Sequence, residues 1–238
     1  VPKLTADLTV ETTLDGPMEQ AAGAAARSVV EAHRAQMTDQ AAIVALDGAG
    51  RVRAMVGGTD HVSAPYNRAA AARRQAGSAW KPFVYLTALE QGMTPETPVV
   101  DEAVTIAGWS PRNYEDGVYL GPISLQTALT KSVNTVAARL ADEVGRQAVA
   151  ETAHRAGIHS AVNTDPAMAL GTTLVTPLEL TAAYTAFANG GRRVQPYGIE
   201  RIRSGGRVVY LKSPPQPVQA IGNPALGELH QMMRAVMT

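Results

Sequence analysis

The chain has 238 residues, of which 45% are hydrophobic and 18% are charged, so it is long enough for one large domain with a substantial core. Its 21 basic and 21 acidic residues cancel, which gives no support for a nucleic-acid or anionic-lipid partner. The absence of cysteine excludes disulfides, a thiol nucleophile and cysteine-based zinc sites, and no apolar run approaches the roughly 20 residues needed to cross a bilayer.

The first part of the chain predicts a strand, a helix and a β-hairpin, in that order. Residues 8–13 read as a short extended segment. Residues 17–36 are rich in alanine and other helix formers, and Asp15 stands where a helix cap is expected. Residues 42–46 and 52–56 are apolar runs that flank a Gly-containing turn, which predicts a hairpin.

The next motif places a hydroxyl and an amine three residues apart where a helix begins. Proline is tolerated in the first turn of a helix but not in its interior, so Pro82 fixes the start of this helix near Ser78. Ser78 then lies at the positive end of the helix dipole, and Lys81 lies on the same face, close enough to take its proton. Ser-x-x-Lys is a known arrangement of a nucleophile with an adjacent base. The alternative is that Ser78 only caps the helix and Lys81 is solvated.

Residues 93–122 show little periodicity and many prolines and glycines, so they predict a long irregular segment. Its aromatic residues Trp109, Tyr114 and Tyr119 favour an ordered wall beside a site. The alternative is surface packing of an irregular loop.

A second polar motif, Ser132–Asn134, follows this segment between two helical patterns at 123–131 and 135–144. A serine and an asparagine two residues apart on a turn between helices can both project to one side, offering a hydroxyl relay and an amide for a substrate's peptide groups. The alternative is that Asn134 caps the second helix while Ser132 completes the end of the first. Together with Ser78 and Lys81, the motif is a much more specific signal than either pair alone.

The last third of the chain predicts two helices and a second hairpin. Thr176–Glu179 is a capping box with proline in the first turn, and it opens a helix that ends at Gly190. Residues 199–203 and 208–211 flank a Gly-rich turn and predict a hairpin. Asn223–Pro224 reads as a cap followed by a first-turn proline, opening a helix that runs to the end of the sequence. The five histidines show no metal-ligand spacing, so no metal site is predicted.

Nine stretches along essentially the whole chain carry a resemblance to one family. They are Thr12–Asp15, Ala54–Gly58, Asn67–Ala69, Gly77–Tyr85, Trp109–Tyr114, Ser132–Thr135, Leu170–Gly171, Thr176–Leu180 and Phe187–Gly191. Together they resemble the transpeptidase domain of class A penicillin-binding proteins, the bifunctional enzymes of bacterial peptidoglycan synthesis. Ala76 and Trp80 depart from the family's usual proline and phenylalanine, and neither change touches a reacting group.

The resemblance implies an α+β fold with an antiparallel sheet packed between helical layers. Residues 41–238 would form the transpeptidase domain, and residues 1–40 would be a lead-in strand and helix toward an upstream domain, expected to be a glycosyltransferase. The protein would act in the periplasm or at the outer face of the cytoplasmic membrane, anchored through a segment outside this sequence. No cofactor is expected.

The resemblance also implies a role for each candidate site residue. Ser78 would attack the penultimate D-Ala of a peptidoglycan stem peptide, with Lys81 as its general base. Ser132 would pass the proton toward the leaving group, while Asn134 and Trp109 would bind the substrate. An amine of a neighbouring stem peptide would then accept the acyl group, and β-lactams would acylate the same serine.

One family motif is missing from the sequence. The family has Lys-Thr-Gly on an edge strand beside the cleft, and no lysine here begins such a motif. Arg203–Gly205 is a poor variant because it falls at the predicted hairpin turn. We therefore expect the domain to lack its C-terminal strands, the first hairpin to expose an unpaired edge, and residues 1–238 alone to be poorly stable or inactive.

Three other functions remain open at this point. A serine β-lactamase or a DD-carboxypeptidase on the same fold would pass the acyl group to water. A lactamase needs a deacylating glutamate beyond the Ser-x-Asn motif, but Glu151 falls in a helical pattern and Glu179 in the capping box. A non-catalytic penicillin-fold module that binds peptide or protein is the third alternative.

Overall fold

The structure is a computed structural model that describes residues 7–213, 216 and 218–237. The helices are α1 (Gly16–Ala32), α2 (Arg68–Ala71), α3 (Lys81–Glu90), α4 (Leu125–Thr130), α5 (Asn134–Glu143), α6 (Arg146–Ala156), α7 (Pro177–Ala188) and α8 (Ala225–Val236). The strands are β1 (Leu8–Thr12), β2 (Ile43–Leu46), β3 (Val52–Val56), β4 (Arg74–Gln75), β5 (Pro98–Asp101), β6 (Gly121–Ser124), β7 (Leu174–Val175), β8 (Arg192–Arg193), β9 (Ile199–Ser204), β10 (Arg207–Leu211) and β11 (Val218–Gln219). Short 3₁₀ helices lie at Arg34–Gln36, Gly77–Trp80 and Pro166–Leu170.

The strands confirm the α+β class but not a single sheet. Among the described residues they form one three-stranded sheet in the order β1-β9-β10 and four two-stranded sheets, all with antiparallel pairing. The hairpin β2–β3 contacts the helices α1 and α7. In the described part of the chain no third strand pairs along β2 or β3, and only an isolated bridge joins Arg51 to Tyr197.

The N-terminal elements follow the sequence prediction closely. β1 pairs with β9, and Asp15 caps α1 by accepting a hydrogen bond from the Met18 backbone N–H at 3.0 Å. The helix ends at Ala32 rather than Gln36, because the chain tightens into a 3₁₀ turn over the last predicted residues. The hairpin β2–β3 has the predicted bounds to within one residue.

The core is built around α3. Every residue from Lys81 to Leu89 is buried, and the helix packs against α5, α6 and α8. Over these nine residues the helix has no polar face, so its one buried charged side chain, that of Lys81, must find partners inside the protein. This packing is what makes Lys81 a buried amine.

The irregular segment predicted at 93–122 contains more regular structure than expected. Residues 98–101 and 121–124 pair as the antiparallel strands β5 and β6, and the 19 residues between them form a loop at the site. Pro98, the first residue of β5, and Pro122, the second residue of β6, concealed these short strands, since proline is uncommon within strands. We call residues 102–120 the site loop.

The C-terminal elements match the prediction with small shifts. The Thr176 hydroxyl accepts the Glu179 backbone N–H at 3.1 Å, which confirms the cap of α7. The predicted hairpin is β9–β10. Arg203 and Ser204 are the last residues of β9, which pairs with β1 and β10, and Gly205 begins the turn. Pro224, rather than the predicted Asn223, occupies the cap position of α8, so this helix begins one residue later than predicted, at Ala225.

Candidate active site

Ser78 lies in the 3₁₀ turn Gly77–Trp80, directly before α3, rather than in the first turn of the α-helix itself. The cap position of α3 is Trp80, which makes no side-chain capping bond, so the interpretation of Ser78 as a plain helix cap is wrong. Gly171 contacts this turn through its backbone: its carbonyl accepts a hydrogen bond from the Gly77 backbone N–H at 3.2 Å. A Cβ at Gly171 would lie 2.1 Å from the Gly77 carbonyl oxygen, so only glycine allows this approach.

An aromatic contact from α7 also fixes the serine turn. The Tyr184 hydroxyl donates to the Ala79 carbonyl at 2.5 Å. Burial raises the pKa of Tyr184 to about 12, which keeps the hydroxyl protonated as a donor. The ring of Tyr184 packs with those of Phe83 and Phe187, so the turn is attached to the core on this side.

Lys81 is fully buried and surrounded by three oxygen atoms. Its Nζ donates to the Ser132 carbonyl at 2.6 Å, to Ser132 Oγ at 2.9 Å and to Asn134 Oδ1 at 2.7 Å. Its side chain carries no ion pair among the described residues. Burial therefore lowers the pKa of Lys81 from 10.5 to about 8.

Ser132 links the lysine to the candidate nucleophile. Its Oγ lies 3.1 Å from Ser78 Oγ and 2.9 Å from Lys81 Nζ. The Lys81 backbone N–H donates to the Ser78 carbonyl, but in the described residues no hydrogen bond joins the two side chains directly. The side-chain contact expected from sequence therefore runs through the Ser132 hydroxyl. Ser132 adopts a left-handed backbone with φ of 53°, which is uncommon for a residue with a side chain and is found most often at functional sites.

Asn134 is the first residue of α5 and faces the same cluster. The cap position belongs to Val133, which makes no side-chain capping bond, so the prediction that Asn134 only caps this helix is wrong. Asn134 Oδ1 accepts from Lys81, and its Nδ2 donates to the Arg112 carbonyl at 2.7 Å. A side-chain amide has two N–H donors, so one of them remains for a substrate.

The structure adds two polar residues to which the sequence had assigned no role. Asn113 Oδ1 accepts the backbone N–H groups of Asn134 at 3.0 Å and Thr135 at 3.3 Å, at the start of α5. Its Nδ2 donates to the buried carboxylate of Asp101 at 2.9 Å. Asn113 lies within the resembling stretch Trp109–Tyr114, which was the only signal in the sequence, and nothing marked Asp101.

A cavity of 280 Å³ opens beside Ser132, between the site loop and the turn that joins α4 to α5. Its lining includes Asn113, Tyr114, Leu120, Lys131 and Ser132. Trp109 is half-buried and is not among the lining residues; its backbone pairs with Ile106 within the site loop. A substrate contact for Trp109 therefore stays a prediction, while the fully exposed Tyr114 is the aromatic residue at the cavity.

The two candidate deacylating glutamates are engaged elsewhere. The Glu179 carboxylate accepts from the backbone N–H groups of His159 and Ser160, both at 2.6 Å. Glu151 lies in α6, where its carboxylate accepts from Gln147. Neither carboxylate is hydrogen-bonded to the serine and lysine cluster in the described structure.

The comparisons with known proteins decide the family. A family model described as the penicillin-binding protein transpeptidase domain matches residues 41–238. The chain belongs to the penicillin-binding protein transpeptidase family. Penicillin-binding protein 1A of Neisseria cinerea is 44% identical over 191 residues, covering 76% of this chain and 23% of that protein. Penicillin-binding protein 1A of Pseudomonas aeruginosa is 39% identical over 190 residues, with the same two coverages of 76% and 23%.

Solved structures of penicillin-binding proteins share the fold. PonA1 of Mycobacterium tuberculosis in complex with penicillin V has a TM-score of 0.83 and 29% identity, covering 96% of this chain and 64% of that chain. Penicillin-binding protein 1A of Haemophilus influenzae has a TM-score of 0.69 and 34% identity, covering 75% of this chain and 28% of that chain. This transpeptidase domain thus spans less than a quarter of the length of the curated relatives named above.

None of the helices in the described part of the chain has both the length and the apolar character needed to cross a membrane.

Proposed function

We propose that this penicillin-binding domain is a serine DD-transpeptidase that crosslinks peptidoglycan stem peptides. Ser78 attacks the carbonyl of the penultimate D-Ala, forms an acyl-enzyme and releases the terminal D-Ala. An amine of a second stem peptide then attacks the ester carbonyl, forms the crosslink and frees Ser78. β-Lactams acylate the same oxygen when their strained amide bond opens.

The observation that carries this proposal is the hydrogen-bonded chain from Ser78 Oγ through Ser132 Oγ to Lys81 Nζ, with steps of 3.1 and 2.9 Å. A nucleophile needs a base within hydrogen-bond distance, either directly or through one bridging hydroxyl or water. When Lys81 is neutral, Ser78 gives its proton to Ser132 as Ser132 gives its own to Lys81. After the attack, the same hydroxyl returns a proton to the leaving amine.

Burial makes Lys81 suitable as this base. With its pKa near 8, the neutral amine at pH 7 is roughly 300-fold more abundant than in an exposed lysine. The Ser132 carbonyl and Asn134 Oδ1 each accept one N–H of the neutral amine, which aims its lone pair at the Ser132 hydroxyl. Asn134 keeps a free N–H for the substrate backbone, and Trp109 is proposed as a further substrate contact.

The wider setting is proposed from the relatives. The 1A relatives are more than four times the length of the matched span, which supports a longer protein. From the family resemblance we propose that it includes a glycosyltransferase domain upstream of the lead-in residues 1–40. We place its action at the outer face of the cytoplasmic membrane or in the periplasm. The free edge of the β2–β3 hairpin supports a fuller central sheet, completed by strands that the described residues do not contain.

Intact-mass analysis after incubation with penicillin tests the proposal. The full natural chain and its Ser78→Ala variant are compared, with Ser28→Ala as the control because Ser28 is an exposed serine on α1. We expect a stable adduct of one β-lactam mass on the wild type and on Ser28→Ala, and none on Ser78→Ala.

The same assay, together with a D-Ala-D-Ala peptide assay in the presence of an added amine, separates the alternatives. Rapid loss of the adduct with release of hydrolysed penicillin would indicate a β-lactamase, which the engagement of Glu151 and Glu179 elsewhere argues against. Hydrolysis of a D-Ala-D-Ala peptide without transfer to an added amine would indicate a carboxypeptidase. Absence of any adduct on a folded wild type would indicate a binding module and contradict the proposal.

A further inference from the structure

A buried carboxylate lies behind the Ser132–Asn134 wall of the site. Asp101 ends β5 and is only 1% exposed. Its Oδ1 accepts from the Thr135 hydroxyl at 2.5 Å and from Asn113 Nδ2 at 2.9 Å. Its Oδ2 accepts from the Leu120 backbone N–H at 2.8 Å and from Asn113 Nδ2 at 3.2 Å.

These donors require a carboxylate rather than an amide of the same shape. Each oxygen of Asp101 faces an N–H that cannot act as an acceptor, from Asn113 on one side and from Leu120 on the other. An asparagine at this position would therefore place its NH₂ group about 3 Å from another N–H in either orientation. Burial alone raises the pKa of Asp101, but the hydrogen bonds from Thr135, Leu120 and Asn113 outweigh it and hold this pKa below its ordinary value.

The contacts of Asp101 converge on the catalytic cluster. Thr135 and Asn113 both adjoin Asn134: the first follows it in α5, and the second accepts its backbone N–H. The Asn134 side chain in turn donates to the Arg112 carbonyl, in the site loop next to Asn113. Asp101 thus joins three pieces of chain, namely the end of β5, the site loop and the start of α5.

We propose that Asp101 is a positioning residue that fixes the site loop to the start of α5 and thereby orients Asn134 and Ser132 toward Lys81 and the substrate. The described hydrogen bonds of the Asp101 carboxylate go to Asn113, Leu120 and Thr135 and to none of the reacting groups, so it acts through Asn113 and Thr135. The proposal rests on the proposed function, because it assigns Asp101 a role in acyl transfer at that site. Without the hydrogen bonds of Asp101, the segment Ser132–Asn134 can move relative to Lys81. A displacement of about 1 Å at a reacting group can lower the rate by up to 100-fold.

A pair of isosteric threonine variants tests this role. Thr135→Val removes the hydroxyl that bonds Asp101, and Thr152→Val removes an equally buried hydroxyl that bonds Thr87 in the core, away from the site. The acylation rate at saturating penicillin and the melting temperature are measured for both. We expect similar drops in melting temperature, and a fall in acylation rate of about tenfold or more for Thr135→Val alone.

Two further variants complete the design. Thr135→Ser keeps the hydroxyl and should recover most of the rate. Asn113→Ala changes a half-buried residue of the site loop and leaves the core intact, and it should lose rate as Thr135→Val does. Two results would overturn the role of Asp101 while leaving the transpeptidase proposal intact. One is an acylation rate for Asn113→Ala equal to that of the wild type, and the other is an equal loss of acylation rate in Thr135→Val and Thr152→Val. A folded wild type without an adduct overturns both.

Discussion

Lys81 owes its chemistry to its neighbours rather than to its own side chain. The α3 helix around it is buried on every side, and the ammonium form meets neutral oxygens instead of carboxylates. Three hydrogen bonds hold the amine in place without the charge compensation that an ion pair would supply. The resulting pKa near 8 leaves the base available at neutral pH.

The pH dependence of acylation should report this group. Because only the neutral amine accepts a proton, the second-order rate of penicillin acylation should rise with pH and level off above a midpoint near 8. The rate is measured over a range from about pH 6 to about pH 9.5, with intrinsic β-lactam hydrolysis subtracted. A flat profile, or one that falls through this range, would contradict the role of Lys81 as the base.

Because Gly171 contacts the turn that carries Ser78, its replacement by alanine should be far more damaging than the same change at Gly190. Gly171 and Gly190 have nearly the same backbone, with φ of 75° and 77°, but a Cβ at Gly190 would meet nothing within 4 Å. Gly190→Ala should therefore cost only about 1 kcal/mol of conformational strain. Gly171→Ala adds a clash with Gly77 and should slow acylation by about tenfold or more, since it shifts the turn that carries Ser78. Denaturant melts and acylation rates measure both effects, and equal behaviour of the two variants would refute the explanation.

At the scale of elements, the sequence predicted most helices and hairpins because their signals are local. Asp15, Thr176 and the apolar period of the hairpin strands are read within a few residues of the elements that they define. The short strands β5 and β6 were missed because their pairing depends on contacts 20 or more residues apart. The predicted capping role of Asn134 failed for a similar reason: its partners Lys81 and Arg112 lie 53 and 22 residues away.

Glu179 connects two elements and predicts a pH-dependent contribution to stability. Burial raises its pKa, but hydrogen bonds from Ser160 and from the His159 and Ser160 backbone N–H groups outweigh this and lower the pKa overall. The stabilisation is therefore present above about pH 4.5 and is lost as pH falls through the lowered pKa. Glu179→Gln should lower the free energy of unfolding by about 1–2 kcal/mol at pH 7, and by less at about pH 3.

Urea melts at both pH values measure this effect, and Glu151→Gln is the matched control because Glu151 is exposed and bonds only Gln147 among the described hydrogen bonds. If Glu179→Gln lowers the free energy of unfolding by the same amount at both pH values, the charge of the carboxylate is not what connects α7 to the segment after α6.

On the scale of the whole molecule, the candidate site contains residues that could be predicted from sequence motifs and residues that could be found only from the three-dimensional structure. Ser78, Lys81, Ser132 and Asn134 stand in two short motifs. Their residue types predicted a nucleophile with an adjacent base, and the family resemblance predicted acyl transfer. Asp101 and Asn113 belong to no pattern of nucleophile and base, because their effect is carried by contacts with α5 that no spacing in the sequence records. The route from Ser78 to Lys81 through Ser132 was likewise visible only in three dimensions.

The central position of α3 also has a consequence for dynamics. Its amides are covered by α5, α6 and α8, so they should exchange with deuterium only when the whole domain unfolds. The site loop, exposed along most of its length, should exchange through local openings that are far more frequent. Exchange mass spectrometry on peptides from the two regions checks this contrast, and comparable protection would refute it. Under the proposed function, the site would then have one wall that stays fixed and one that can adapt, and stem peptides of different shape would meet the same serine.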